Sequence, residues 1–150
     1  MTHKLDIDAL RERFLNEVYD EQVFELTPEQ IVDYAIACGE RAPRYIDPDD
    51  PDFQAPPTFA SSFRPGQRLP DGFPKLPGLG MDAGKAVAPR MPIRPGVKLT
   101  GRSHLHDVYA KTGRSGRMTF MVTRMDIYDP NEVLLASADT RIVIREKPES

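Results

Sequence analysis

The sequence lacks most of the features that would assign it to a special environment. It holds one cysteine, Cys38, among 150 residues. An internal disulfide is therefore excluded, and a reducing cytoplasm is the expected setting. No apolar run approaches the ~20 residues of a membrane-spanning helix, so no membrane insertion is expected. The first eight residues, Met1 to Asp8, contain no apolar h-region, and no signal peptide is read there. Basic charge is not in excess: 20 Lys and Arg stand against 23 Asp and Glu, a net charge of −3. That balance gives no reason to expect nucleic acid. Histidine is scarce too. His3 sits in a terminus expected to fray, and His104 and His106 have no Cys or second carboxylate cluster near them to complete a metal site.

What is present is an ordinary globular composition. The apolar share is 39% and the charged share 29%, and the length suits one domain with a single sizeable core. Proline is the exception. Eleven of the 15 prolines fall between Pro43 and Pro92, so the middle third is expected to be poor in regular structure.

Periodicity divides the remainder. Residues 6–20 predict a helix, with Leu10, Phe14 and Val18 on one stripe and Leu15 beside it. Residues 22–26 are a short strand candidate. Thr27-Pro28-Glu29-Gln30 then supplies an N-cap, a proline at the first helical position and a capping-box glutamine. The helix so opened, residues 28–38, places Ile31, Tyr34, Ala35 and Cys38 on one side. Ile36 and Ala37 widen its apolar face, so it is expected to be largely buried, with Cys38 as a structural thiol rather than a nucleophile. Gly39 is expected to end it in the left-handed conformation. Residues 43–80 predict a long irregular region pinned by Phe53, Phe59, Phe63 and Phe73. From Gly84 the period becomes two, with strands over 85–93, 97–111, 117–128 and 133–145 separated by short turns. A buried helix before an antiparallel meander is an α+β layout.

Several local motifs resemble the MaoC-like dehydratase/hydratase family, in particular its N-terminal, fatty-acid-synthase-type dehydratase domain. They are Leu26-Thr-Pro-Glu-Gln-Ile-Val-Asp-Tyr-Ala35, the extended Ala55-Pro-Pro-Thr-Phe59 and Arg90-Met-Pro-Ile-Arg-Pro-Gly96. The fourth is Asp107-Val-Tyr-Ala-Lys-Thr-Gly-Arg-Ser-Gly-Arg-Met118, similar to the family's Asp-Val-Tyr-x-Lys-x-Gly-Arg-x-Gly-x-Met. The resemblance covers roughly residues 20–146. It implies a hot-dog fold, a curved antiparallel sheet wrapped around a central helix, with two such layers pairing into a double hot dog. Residues 1–20 would be a helical extension and residues 21–150 the hot-dog domain.

The same resemblance locates the chemistry and its loss. The family's loop after the helix reads Gly-Asp-x-Asn-Pro-x-His, and its Asp and His activate the water that adds across a 2-enoyl thioester. Here Gly39 and Pro43 stand, but Glu40 replaces the Asp, Ala42 the Asn and Tyr45 the His. A phenol, with an ordinary pKa near ~10, is no base at neutral pH. A carboxylate one methylene longer is misplaced for chemistry sensitive to ~1 Å. The chain is therefore expected to be the non-catalytic, substrate-channel-forming subunit of a heteromeric 2-enoyl-CoA hydratase or (3R)-hydroxyacyl thioester dehydratase. A catalytic MaoC-like subunit would supply Asp and His, and no cofactor is implied beyond the acyl-CoA or acyl-carrier-protein thioester itself.

Further residues are candidates for binding. Pro56, Pro57, Thr58 and Phe59 are read as lining an acyl tunnel or, equally, as packing a loop onto the central helix. Lys111, Arg114 and Arg117 flank a glycine-containing turn and would suit coenzyme A phosphates or a partner contact. His104 and His106, sharing a strand face with Lys98 and Arg102, read as a polar, solvent- or partner-facing side. Two other functions stay open: a stand-alone acyl-CoA thioesterase using Glu40, and an acyl-CoA-binding scaffold without hydratase activity.

Overall fold

The computed structural model describes residues 4–146, so His3 lies outside the described residues. In chain order the elements are α1 (Ile7–Phe14), β1 (Val18–Glu25), α2 (Pro28–Ala37) and α3 (Pro43–Ile46). A 3₁₀ helix (Pro57–Ser62) follows, then β2 (Gly80–Pro89), β3 (Lys98–Gly113), β4 (Gly116–Tyr128) and β5 (Leu134–Arg145). The strands form one antiparallel sheet in the order β1-β3-β4-β5-β2. The β3-β4-β5 meander is its centre, and β1 and β2 are its two edges. With α2 laid against one face, this is the hot-dog fold.

The start of α2 follows from its sequence. Gln30 N–H donates to Thr27 Oγ1 at 3.2 Å, and Thr27 N–H donates to Gln30 Oε1 at 2.9 Å. Two donors with no partner inside the helix are thereby satisfied. Gly39 follows its end with φ of +78°, a conformation nearly free of cost only for glycine. The burial of α2 is narrower than its sequence implies. Ile31 and Ala35 are buried, whereas Ile36 is 62% exposed and Cys38 is exposed. The reason is length. Ten residues of helix span about 15 Å, far short of the 16-residue β3, so α2 covers one end of the sheet with one narrow stripe. Cys38 is in phase with that stripe but is the C-cap just past the helix end, and it is exposed.

The first helix is also shorter than its periodicity predicts. Leu15 bridges to Leu105, and Asn16, with φ of 66°, donates its N–H to the Leu105 carbonyl at 2.9 Å. Sheet hydrogen bonds thus capture the backbone two turns early. Val18 then opens β1, 55% exposed, instead of continuing the buried stripe of Leu10 and Phe14.

β2 begins at Gly80 rather than residue 85. A register shift between Asp82 and Gly84, with Gly84 at φ of 118°, lets Gly80 to Asp82 pair with Ile144 to Ile142. Residues 55–59 are not one extended run either. Pro56 is extended, but Pro57 starts the 3₁₀ helix, and Phe59 N–H donates to the Pro56 carbonyl at 2.9 Å.

Two apolar clusters divide the concave face of the sheet between them. The first joins Ile31 and Ala35 of α2 to Phe53, Phe59, Leu99, Met125 and Ile127. The second joins Leu10 and Phe14 of α1 to Leu105, Val108, Met121 and Ile144. The phenylalanines of the long loop tie it to both: Phe63 lies 4.6 Å from Phe24, and Phe73 lies 5.3 Å from Phe14.

Candidate functional site

The loop after α2 is built around packing. Glu40 N–H donates to the Ala35 carbonyl at 2.9 Å, closing the helix end. Ala42 caps α3 without a side-chain hydrogen bond. Tyr45, the third of these positions, is buried at 8% exposure, with the Arg44 guanidinium 4.9 Å from its ring centre. None of the three lines the cavities of about 220 and 450 Å³ described below. Ala42 has no polar side-chain atom, and the Tyr45 ring is buried in the core.

Residues 56–59 divide between two tasks. The Tyr34 hydroxyl and Thr58 Oγ1 are 2.9 Å apart, and Phe59 packs edge-on against the Tyr34 ring at 4.8 Å. Those contacts fasten the 3₁₀ helix to α2. Pro56 and Pro57 instead line a cavity of about 220 Å³ with Arg90, Met91 and Ile93.

Lys111, Arg114 and Arg117 do not converge. Lys111 pairs with Met118 and Thr112 with Arg117 across the hairpin, so alternation sends Lys111 and Arg117 to opposite faces. Lys111 Nζ sits over the rings of Tyr109 and Phe120, at 5.9 and 5.7 Å. Arg117 donates to the Leu5 carbonyl at 3.1 Å and lies 3.6 Å from Glu146. Arg114 is left exposed at the hairpin tip.

His104 and His106 lie side by side, rings 5.7 Å apart, on the convex face with Arg102. Solvent reaches little of His104, whose side chain is 13% exposed and lies 3.8 Å from Asp126. Burial pushes its pKa below the ordinary imidazole value, against the pull of Asp126. Ion pairs surround it: Arg124 binds Asp139 at 2.6 and 2.9 Å, and Arg102 binds Glu132 at 2.7 and 3.0 Å. Among the described residues, no three His, Cys, Asp or Glu side chains are grouped to hold a metal ion.

The larger cavity, about 450 Å³, lies on the concave face between the two apolar clusters. Phe63, Leu69 and Leu76 roof it, and Thr123, Thr140 and Ile142 form its floor. Arg64, Arg68 and Lys85 also line it. A smaller pocket shares Phe63, Pro65, Thr123 and Thr140 with it and ends at Tyr19 and Ser103. Tyr19 donates to the Arg68 carbonyl at 3.0 Å, and burial raises its pKa to about 12. Sequence reasoning missed these hydroxyls. The signal was Thr123 and Thr140 standing at core-facing positions of otherwise apolar strands.

This architecture is shared with known proteins. A UPF0336 protein of Saccharopolyspora erythraea is 29% identical over 141 residues, covering 84% of this chain and 86% of that protein. Among solved structures, a MaoC-like dehydratase from Phytophthora capsici superposes with a TM-score of 0.69 at 19% identity. It covers 97% of this chain, and the chain spans 52% of its length. The C-terminally truncated HadBC (3R-hydroxyacyl-ACP dehydratase) complex from Mycobacterium tuberculosis superposes with a TM-score of 0.60 at 17% identity, covering 85% of this chain and 98% of that one. The pattern of the FAS1-like dehydratase domain region matches residues 14–138. With that match over most of its length and the hot-dog sheet beneath it, the chain belongs to the FAS1-like dehydratase domain family of MaoC-like hot-dog proteins.

Proposed function

We propose that this chain is the non-catalytic half of a heteromeric 2-enoyl thioester hydratase, or (3R)-hydroxyacyl thioester dehydratase, working in the cytoplasm on lipid acyl groups. One observation carries the reading. The loop that bears the water-activating Asp and His in the family holds Ala42 and a Tyr45 packed into the core. A base must reach water and an acid must reach the α-carbon, and a buried phenol beneath Arg44 does neither.

The rest of the molecule supports a subunit that shapes a channel. The 450 Å³ cavity is of a size that holds a small ligand, and its apolar roof suits an acyl chain. Pro56 and Pro57 would line a second stretch of that channel beside Ile93. The HadBC complex, a neighbour in fold, is named for two components and for a 3R-hydroxyacyl-ACP dehydratase. A catalytic MaoC-like chain is the corresponding partner here. The edge strand β2 is the seat we assign it: its exposed surroundings include Leu79, Met81 and Met91, at 81, 47 and 53% exposure. An apolar, unpaired edge is completed by strand addition. Arg114, free at its hairpin tip, remains available to a coenzyme A phosphate or to the partner.

Co-expression with a candidate MaoC-like partner tests this, with hydration of 2-enoyl-CoA followed by loss of the enoyl thioester absorbance. The expected result is activity in the pair alone, unchanged by Glu40→Gln or Tyr45→Phe in this chain. Turnover by this chain by itself, abolished by either substitution, would sink the proposal. So would release of free coenzyme A thiol lost in Glu40→Gln, the mark of a thioesterase.

A further inference from the structure

The floor of the larger cavity carries hydroxyls where the sheet passes between two apolar clusters. Thr123 lies directly across from Thr140, and Thr140 across from Lys85, so three polar side chains form one row across β4, β5 and β2. On β3 the row meets Leu105, directly across from Thr123; to one side of it the concave face carries Met125, Ile127 and Leu99, and to the other Met121 and Ile144. Ser103 borders the row at 2% exposure, and the Tyr19 hydroxyl closes its end.

These hydroxyls are largely unspent. Among the described residues, no hydrogen bond is made by the Ser103 or Thr140 side chain. Thr123 reaches the Thr140 carbonyl at a long 3.5 Å and interacts with the Tyr19 hydroxyl. Tyr19 donates to the Arg68 carbonyl at 3.0 Å. A run of methylene groups laid across the row would strip these hydroxyls of water and return nothing, which is a net cost. An oxygen placed at the row would accept from, or donate to, two or three of them at once. Apolar walls with a few convergent polar groups are how a pocket orients a mostly apolar ligand.

We propose that the acyl group held by this chain carries an oxygen, as a hydroxyl or keto group, seated on Ser103, Thr123 and Thr140. The inference rests on the cavity being the acyl-binding channel of the preceding proposal and adds the chemical class of its occupant. Lys85, in the same row, reaches the Ser61 carbonyl at 3.4 Å and closes the polar row at the sheet edge.

The test is direct binding to the full chain, by titration calorimetry. The probes are dodecanoyl-CoA and a series of its monohydroxylated analogues, with the hydroxyl moved from mid-chain to the terminal carbon. At least one analogue is expected to bind about tenfold more tightly than the unsubstituted chain. Thr123→Val and Thr140→Val, close in shape, should erase that preference, bringing the hydroxylated analogues level with dodecanoyl-CoA. Thermal unfolding of each variant confirms that it is folded. If dodecanoyl-CoA binds at least as tightly as every analogue, the oxygenated class is wrong and the acyl channel stands. If none of the probes binds, the inference falls together with the assignment of the cavity as an acyl channel, while the non-catalytic loop remains to be judged by the paired assay.

Discussion

The Tyr34 and Thr58 hydroxyls meet at 2.9 Å, a single hydrogen bond that ties α2 to the 3₁₀ helix of residues 57–62. Because the pair is exposed, the bond itself is worth about 0.5–1 kcal/mol. Tyr34→Phe should lose that much in chemical denaturation, and Thr58→Val in a Tyr34→Phe background should lose nothing further through this contact. Tyr34→Ala also removes the ring packed against Phe59 and should cost at least about 2 kcal/mol. Equal effects of Phe and Ala would show that the ring contact contributes nothing.

Gly101 leaves room for two neighbours. A Cβ built there would lie 2.6 Å from Met125 Sδ and 2.9 Å from Phe24 Cε2. Phe24 is itself packed against Phe63 at 4.6 Å and has little freedom to retreat. Gly101→Ala is therefore expected to destabilise by about 1–3 kcal/mol through overpacking. A stability equal to or above the parent would show that both side chains yield freely.

Cys38 is exposed, so native protein should react with an Ellman-type thiol reagent at a rate close to that of urea-unfolded protein. Cys38→Ser should change stability by no more than about 0.5 kcal/mol. Strong protection of the thiol in the native state would place Cys38 in an interface or in the core.

His104 links stability to pH. Its pKa is lowered in the folded protein, first by burial, with His106 and Arg124 adding to the effect and Asp126 and Asp139 opposing it. The unfolded chain then binds a proton more readily, so stability is lost as pH falls through the ordinary imidazole value near ~6.5 toward the lower folded value. Above that window the contribution is constant. Denaturation midpoints should fall between pH 7 and about pH 5, and His104→Gln should flatten that part of the curve. An identical slope in the variant would assign the dependence to other groups.

The fold was legible where short-range chemistry decides it. Thr27, Pro28 and Gln30 announce a helix start in a handful of residues, and the alternation of β4 and β5 sorts Met121, Met125 and Ile127 from their neighbours. Legibility failed where distant partners decide. Val18 fits a helical stripe, but Leu105, nearly ninety positions on, draws the preceding backbone into the sheet. Ile36 and Cys38 are apolar without being covered, because the extent of α2's contact depends on how much sheet it can reach. The residues at Glu40, Ala42 and Tyr45 could be compared with the family's loop from their types alone. The core-facing positions of Thr123 and Thr140 were visible in the alternation, but their meeting with Ser103 was not, because it comes only through strand register.

The free edge of β2 makes abundance a structural variable. Its outward backbone groups and the apolar side chains around it are the same in every copy, so each molecule offers its neighbours a template for strand addition. A cell that makes this chain in excess of whatever covers that edge raises the concentration of open templates in direct proportion. If the partner proposed above covers that edge, matched synthesis of the two would guard solubility as much as output, and selection on their relative dosage would act even where catalysis is not limiting.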